Sequence, residues 1–125
     1  MKISKLRETL MEYDFEILNA KSELALIEAN VQKYARSKKK IARYTEWRIA
    51  EEKTKTYIHK LERGLENTLN YLELLLVEYG IKERKVFKSY YLKQMSIEEI
   101  SQTENLGIEE VANIIERLEK DFKED

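Results

Sequence analysis

A heptad repeat over the first 34 residues does most to limit how this chain can fold. Apolar side chains return every seven residues at Ile3, Leu10, Ile17, Leu24 and Val31, and Leu6, Tyr13, Ala20, Ile27 and Tyr34 fill the interleaved positions. Alternating steps of three and four residues hold one stripe along a slightly under-wound helix, which is the a/d pattern of a left-handed coiled coil. The pattern predicts a helix over residues 3–36, about 50 Å long at 1.5 Å per residue. Its apolar seam must be covered by another helix, from the same chain or from a second copy, because an amphipathic helix gains most of its stability from packing.

The pattern breaks at Ser37, Lys38, Lys39 and Lys40, four polar residues in a row, so the connection to the next helix is placed there. A second long helix is predicted over residues 45–79, with Tyr44, Trp47, Ile58, Leu61, Leu65, Leu69, Leu72, Leu75, Leu76 and Tyr79 on its apolar stripe. The matched lengths favour an antiparallel hairpin. The stripe thins over residues 51–56 and broadens over 65–77, so the second half of this helix is expected to meet a further surface. Gly80 is expected to cap its C-terminal end in the left-handed conformation. Proline is absent and there are only three glycines, as few and long helices require.

The C-terminal part reads differently. A short amphipathic segment over residues 82–93 is followed by two similar helix starts, Met95-Ser96-Ile97-Glu98-Glu99-Ile100 and Leu106-Gly107-Ile108-Glu109-Glu110-Val111. In the first, Ser96 and Glu99 have the spacing of a capping box, and Met95 and Ile100 that of its hydrophobic staple. In the second, Gly107 is a permissive N-cap. Two capped helices joined by a tight turn make a helix-turn-helix. Ile100, Leu106, Val111 and Ile114 would form its core, Ser101 is small where the helices cross, and Asn105 tolerates the left-handed turn conformation. Glu104 stands where an apolar residue is expected. The fold class is therefore all-α: a coiled-coil-like hairpin over residues 1–80 and a small helix-turn-helix unit over 81–125.

The run from Tyr90 through Tyr91, Leu92, Lys93, Gln94, Met95 and Ser96 to Ser101, followed by Val111, Ile114, Ile115, Glu116, Arg117 and Leu118, resembles region four of bacterial sigma factors. It resembles in particular small phage-encoded transcription regulators that join a helical N-terminal half to a sigma-like C-terminal half. The resemblance covers roughly a third of the chain. It implies a DNA-binding regulator acting on DNA or on promoter-bound RNA polymerase, with the second motif helix in the major groove. Ile108, Glu109, Ala112, Asn113, Glu116, Arg117 and Lys120 would form its DNA-facing side. Sigma-like recognition helices usually carry several Lys or Arg on this face; here Glu109, Glu110 and Glu116 stand among them. A small terminase-like packaging adaptor combines the same parts.

Charge sharpens the alternatives. Residues 33–55 hold nine bases and three acids, whereas residues 81–125 hold eight bases and eleven acids. Lys38, Lys39, Lys40, Arg43, Lys85, Lys88 and Lys93 are candidate phosphate contacts. A continuous basic face through Lys82, Arg84, Lys85, Lys88 and Lys93 would favour DNA. An unbroken acidic surface would favour a non-enzymatic protein-interaction module that binds or inhibits a nucleic-acid-binding partner.

An enzyme is not expected. There is no cysteine and one histidine, His59, expected to be an ordinary surface or boundary residue. No metal site, no cofactor and no glycine-rich phosphate loop is indicated. Tyr44 and Trp47 are expected to tuck into the hairpin, and an i,i+4 pair of Glu119 and Lys123 is expected on the last helix. The charged first ten residues and the lack of a long apolar run suggest a cytoplasmic protein without membrane contact. Self-association through the N-terminal helices, giving a homo-oligomer, is expected from the heptads.

Overall fold

The computed structural model describes residues 3–37 and 40–122. Its helices are α1 (Ile3–Ala35), α2 (Ile41–Leu75), α3 (Ile81–Phe87), α4 (Ile97–Glu104) and α5 (Ile108–Asp121), with a π-helical segment Lys88–Leu92 after α3. No strand occurs among the described residues. No described helix is long and apolar enough to cross a membrane.

Helices α1 and α2 pack antiparallel as a hairpin. All ten heptad residues of α1 are buried or half-buried, so this seam is occupied within the chain. The covering stripe of α2 is longer than its apolar residues alone suggest. Tyr44, Trp47, Glu51, Thr54, Ile58, Leu61, Leu65, Thr68 and Leu72 follow the same alternation, and all are buried or half-buried. Glu51 sits in the seam 5% exposed, and a carboxylate taken out of water needs a cation. The Arg48 guanidinium pairs with it, and Lys55 lies 3.9 Å away. This polar stretch is why the stripe looks thin over residues 51–56.

The described residues form two compact units. In the unit Leu10–Thr68, Ala20, Ile58 and Leu61 are buried together, with Tyr13, Ile17 and Leu24 packed against them. Gly64 makes room for Tyr13: a Cβ on Gly64 would stand 2.5 Å from the Tyr13 hydroxyl.

The other unit comprises residues 3–9 and 69–122. Ile3, Leu6, Leu72, Leu76, Val86, Phe87, Ile100, Val111, Ile115 and Leu118 are buried in it. The broad apolar half of α2 thus has the additional surface its sequence calls for. Helix α2 ends four residues earlier than its apolar pattern suggests, and Leu76–Tyr79 form a turn. Gly80 is not a left-handed cap. Its φ of −73° and ψ of 175° are extended, and it is the N-cap of α3. Arg84 instead serves the exposed carbonyls at the end of α2. Its Nε donates to Leu76 (3.0 Å) and Tyr79 (2.9 Å), and its Nη2 to Val77 (3.1 Å). Helix ends leave carbonyls without intrahelical partners, and a guanidinium is well suited to such a cluster.

The π-helical segment is closed by the Lys93 amide bonding to the Lys88 carbonyl at 3.0 Å. It carries Tyr90 and Tyr91, both half-buried, into a cluster with Phe87 and Phe122. Ring centroids are 5.0 Å apart for Phe87–Tyr91 and for Tyr90–Tyr91, and 5.5 Å for Phe87–Phe122. Gln94, in the left-handed region at φ 54°, turns the chain toward α4.

Candidate nucleic-acid interface

Helix α4 starts at the expected capping box. The Glu99 amide donates to the Ser96 hydroxyl and the Ser96 amide to the Glu99 carboxylate, both at 3.2 Å. It stops at Asn105, which is left-handed at φ 54° and ψ 47°. The amides of Asn105 and Leu106 both donate to the Ser101 carbonyl, and the Ser101 hydroxyl donates to the Leu106 carbonyl at 2.5 Å. Ser101 is therefore more than a small residue at a crossing; it ties the turn. Gly107, extended at φ −69° and ψ 149°, then caps α5.

Helix α5 buries Val111, Ile115 and Leu118. The opposite side carries Ile108, Glu109, Asn113, Glu116, Arg117 and Lys120, all exposed, while Ala112 is half-buried at the margin. The period of 3.6 thus places six of the seven expected recognition residues in solvent on one helix. A shallow groove beside this face is lined by Lys82, Glu83, Glu109, Glu110, Asn113 and Arg117, among others.

The electrostatics are less simple than a basic surface. Lys82 donates to Glu110 at 2.8 Å, which raises the lysine pKa and lowers that of the carboxyl. Lys88 donates to Glu73 at 2.6 Å, and this bond lowers the Glu73 pKa. Lys85 lies 3.9 Å from Glu104. Glu104 is the carboxylate at the end of α4 where the pattern asks for an apolar residue, and it is half-buried. Arg84 is turned into backbone carbonyls. Of the five bases that would form a continuous face, Lys93 alone is exposed with no ion pair or hydrogen bond from its side chain among the described residues. On α5, Arg117 is 3.9 Å from both Glu83 and Asp121 and lies over the Tyr79 ring, 5.5 Å from its centroid. Lys120 is exposed. The Tyr79 hydroxyl donates to Asp121 at 2.7 Å; burial first, and then this bond, push its pKa up to about 12.

Two further phosphate candidates belong to the other unit. Lys40 and Arg43 are exposed in the unit Leu10–Thr68, with the Lys40 ammonium 5.5 Å from the Tyr34 ring centroid. Lys38, Lys39 and the Lys123 partner expected for Glu119 lie outside the described residues. Sequence reasoning missed the links from α3 to α5, Lys82–Glu110 and Glu83–Arg117. Their only signal was the opposite charge of two segments 25–35 residues apart. No group of His, Asp or Glu side chains among the described residues is arranged to hold a metal ion.

No protein-family model, no curated protein and no solved structure matches the chain.

Proposed function

We propose that the chain is a transcription regulator of the phage or prophage type that binds DNA through α4 and α5, acting on DNA or on promoter-bound RNA polymerase. One observation carries this reading: a capped helix, a left-handed Asn105 turn and a second helix with one face buried and the other open. In a helix-turn-helix that open face enters the major groove. Asn113 suits adenine, and Arg117 suits guanine or a phosphate. Lys120 and Lys93 add charge without an acid to displace. Glu109 and Glu116 disfavour phosphate nearby, so binding depends on few cations and is selective rather than tight on random sequence.

The pairing of Lys82, Lys85 and Lys88 with Glu110, Glu104 and Glu73 favours a second reading, in which the same face docks on a basic protein partner. Anisotropy of labelled duplex DNA, titrated at several salt concentrations, separates the two. With Arg117, Lys120 and Lys93 as the phosphate contacts, log K should fall against log salt with a slope of roughly −3. The double variant Arg117→Ala, Lys120→Ala should flatten that slope by roughly two. Absence of binding at low salt to promoter and random duplexes alike would reject the DNA reading in favour of the protein partner.

A further inference from the structure

The outer side of α1 carries a second heptad stripe that its own chain leaves uncovered. Met11, Phe15, Leu18, Ser22, Ala25 and Ala29 repeat the alternating four- and three-residue steps of the buried seam, and every one of them is exposed. Met11 is 56% exposed, Phe15 and Leu18 65% each, and neighbouring Leu26 69%. Single exposed apolar residues are ordinary, but a continuous row at coiled-coil spacing marks a contact surface. The stripe lies wholly within the unit Leu10–Thr68.

We propose that this stripe is an interface between two copies of the chain, packed α1 against α1 in antiparallel about a two-fold axis passing between residues 16 and 17. The flanking charges select this arrangement. Asp14 and Lys21 lie along one edge of the stripe, both exposed, and neither belongs to an ion pair among the described residues. In an antiparallel helix pair the same edge of each helix meets across the axis. With the axis between residues 16 and 17, Phe15 packs on Leu18 of the second copy and Met11 on its Ser22. Asp14 then lies beside Lys21 of the second copy, twice by symmetry. Sliding one helix by a heptad in either direction sets Lys21 against Lys21 or Asp14 against Asp14, which is repulsive. The contact is isologous and closes on itself, as a soluble dimer requires.

Its size sets its strength. The largest apolar patch on an ordinary monomer covers about 300–600 Å². Two such patches face to face bury about 600–1,200 Å², at or below the lower bound of specific interfaces. The dimer is therefore expected to dissociate in the micromolar range. This contact is independent of the nucleic-acid reading, since none of its residues lies in α4 or α5.

Sedimentation equilibrium of the full chain from about 5 to 500 µM tests it. A monomer–dimer equilibrium is expected. Leu18→Asp should weaken it at least tenfold while leaving helicity at low concentration unchanged, because the side chain is solvent-exposed in the monomer. Asp14→Lys and Lys21→Asp should each weaken self-association about tenfold. Mixed in equal amounts, those two variants should regain wild-type affinity as a heterodimer, since each presents the other with opposite charges. A chain that stays monomeric to 500 µM overturns the proposal. So does a dimer indifferent to Leu18→Asp, or one in which mixing the charge variants rescues nothing.

Discussion

Removing the Arg84 guanidinium should cost more than any other single surface-charge deletion in the C-terminal unit. Arg84 is half-buried and donates to three carbonyls just beyond α2, at 2.9, 3.0 and 3.1 Å. Two of these bonds share the single Nε hydrogen, so the cluster counts as about two bonds. Hydrogen bonds to charged groups contribute about 1.5–3 kcal/mol each when well shielded. The Val77 bond is exposed to water, which can replace it, so the lower part of that range applies. Arg84→Ala should then destabilise the protein by about 3 kcal/mol. Arg84→Lys should recover less than half, because an ammonium keeps the charge but cannot hold a planar fork against separate carbonyls. Urea unfolding followed by circular dichroism at 222 nm measures both. The expected result is a lowered midpoint for alanine, a smaller drop for lysine and an unchanged slope. An alanine variant within about 0.5 kcal/mol of wild type, the range of ordinary surface substitutions, would refute the assignment of Arg84 as the cap of α2.

Three other perturbations test particular parts of the fold. Ser96→Ala removes one half of the α4 capping box and should cost about 1 kcal/mol in thermal or chemical unfolding. Asn105→Gly should leave stability within about 0.5 kcal/mol of wild type, whereas Asn105→Val should cost about 1–2 kcal/mol or more, because a β-branched residue resists the left-handed conformation. Tyr79 supplies a pH signature. Its folded-state pKa is raised from 10.0 to about 12, so the protonated phenol is favoured by folding. Its contribution is fully present below pH 10 and is lost as pH rises toward 12. The stability difference between wild type and Tyr79→Phe should shift in favour of the variant across that interval, and a difference constant with pH would contradict the burial and the Asp121 bond that together raise the Tyr79 pKa.

Much of the fold was legible because helical periodicity is a local signal. The ten heptad residues of α1 mark its buried face, and its end at Ala35 falls one residue short of the expected limit. The capping box at Ser96 and the left-handed Asn105 were legible for the same reason, since each depends on residues within a single turn. Helix α2 was displaced by about four residues at both ends. At its start, Ile41 is exposed and adds nothing to the apolar stripe, so the pattern alone begins at Tyr44. At its end, Leu76–Tyr79 are apolar enough to extend the stripe, but they turn instead toward Arg84 and Phe122. Gly80 misled because a glycine after a helix suits either a C-cap or the N-cap of the next one. The open face of α5 followed from the helical period, but the sequence pattern points to Val111 and Ile114 as its core, whereas Val111, Ile115 and Leu118 are buried and Ile114 is half-buried. Which bases near it are neutralised did not follow, because the Lys82–Glu110 and Lys88–Glu73 contacts depend on how separate helices pack.

In the function proposed above, the open side of α5 contacts DNA. An amide NMR titration of isotope-labelled protein with duplex DNA, at low and then moderate salt, tests it residue by residue. DNA contact through this face should concentrate the shifts at Ile108, Glu109, Asn113, Glu116, Arg117 and Lys120, with the buried Val111 and Leu118 responding less and all shifts reversing as salt is raised. Shifts confined to the region of Lys40 and Arg43, or no shifts at all at low salt, would contradict it.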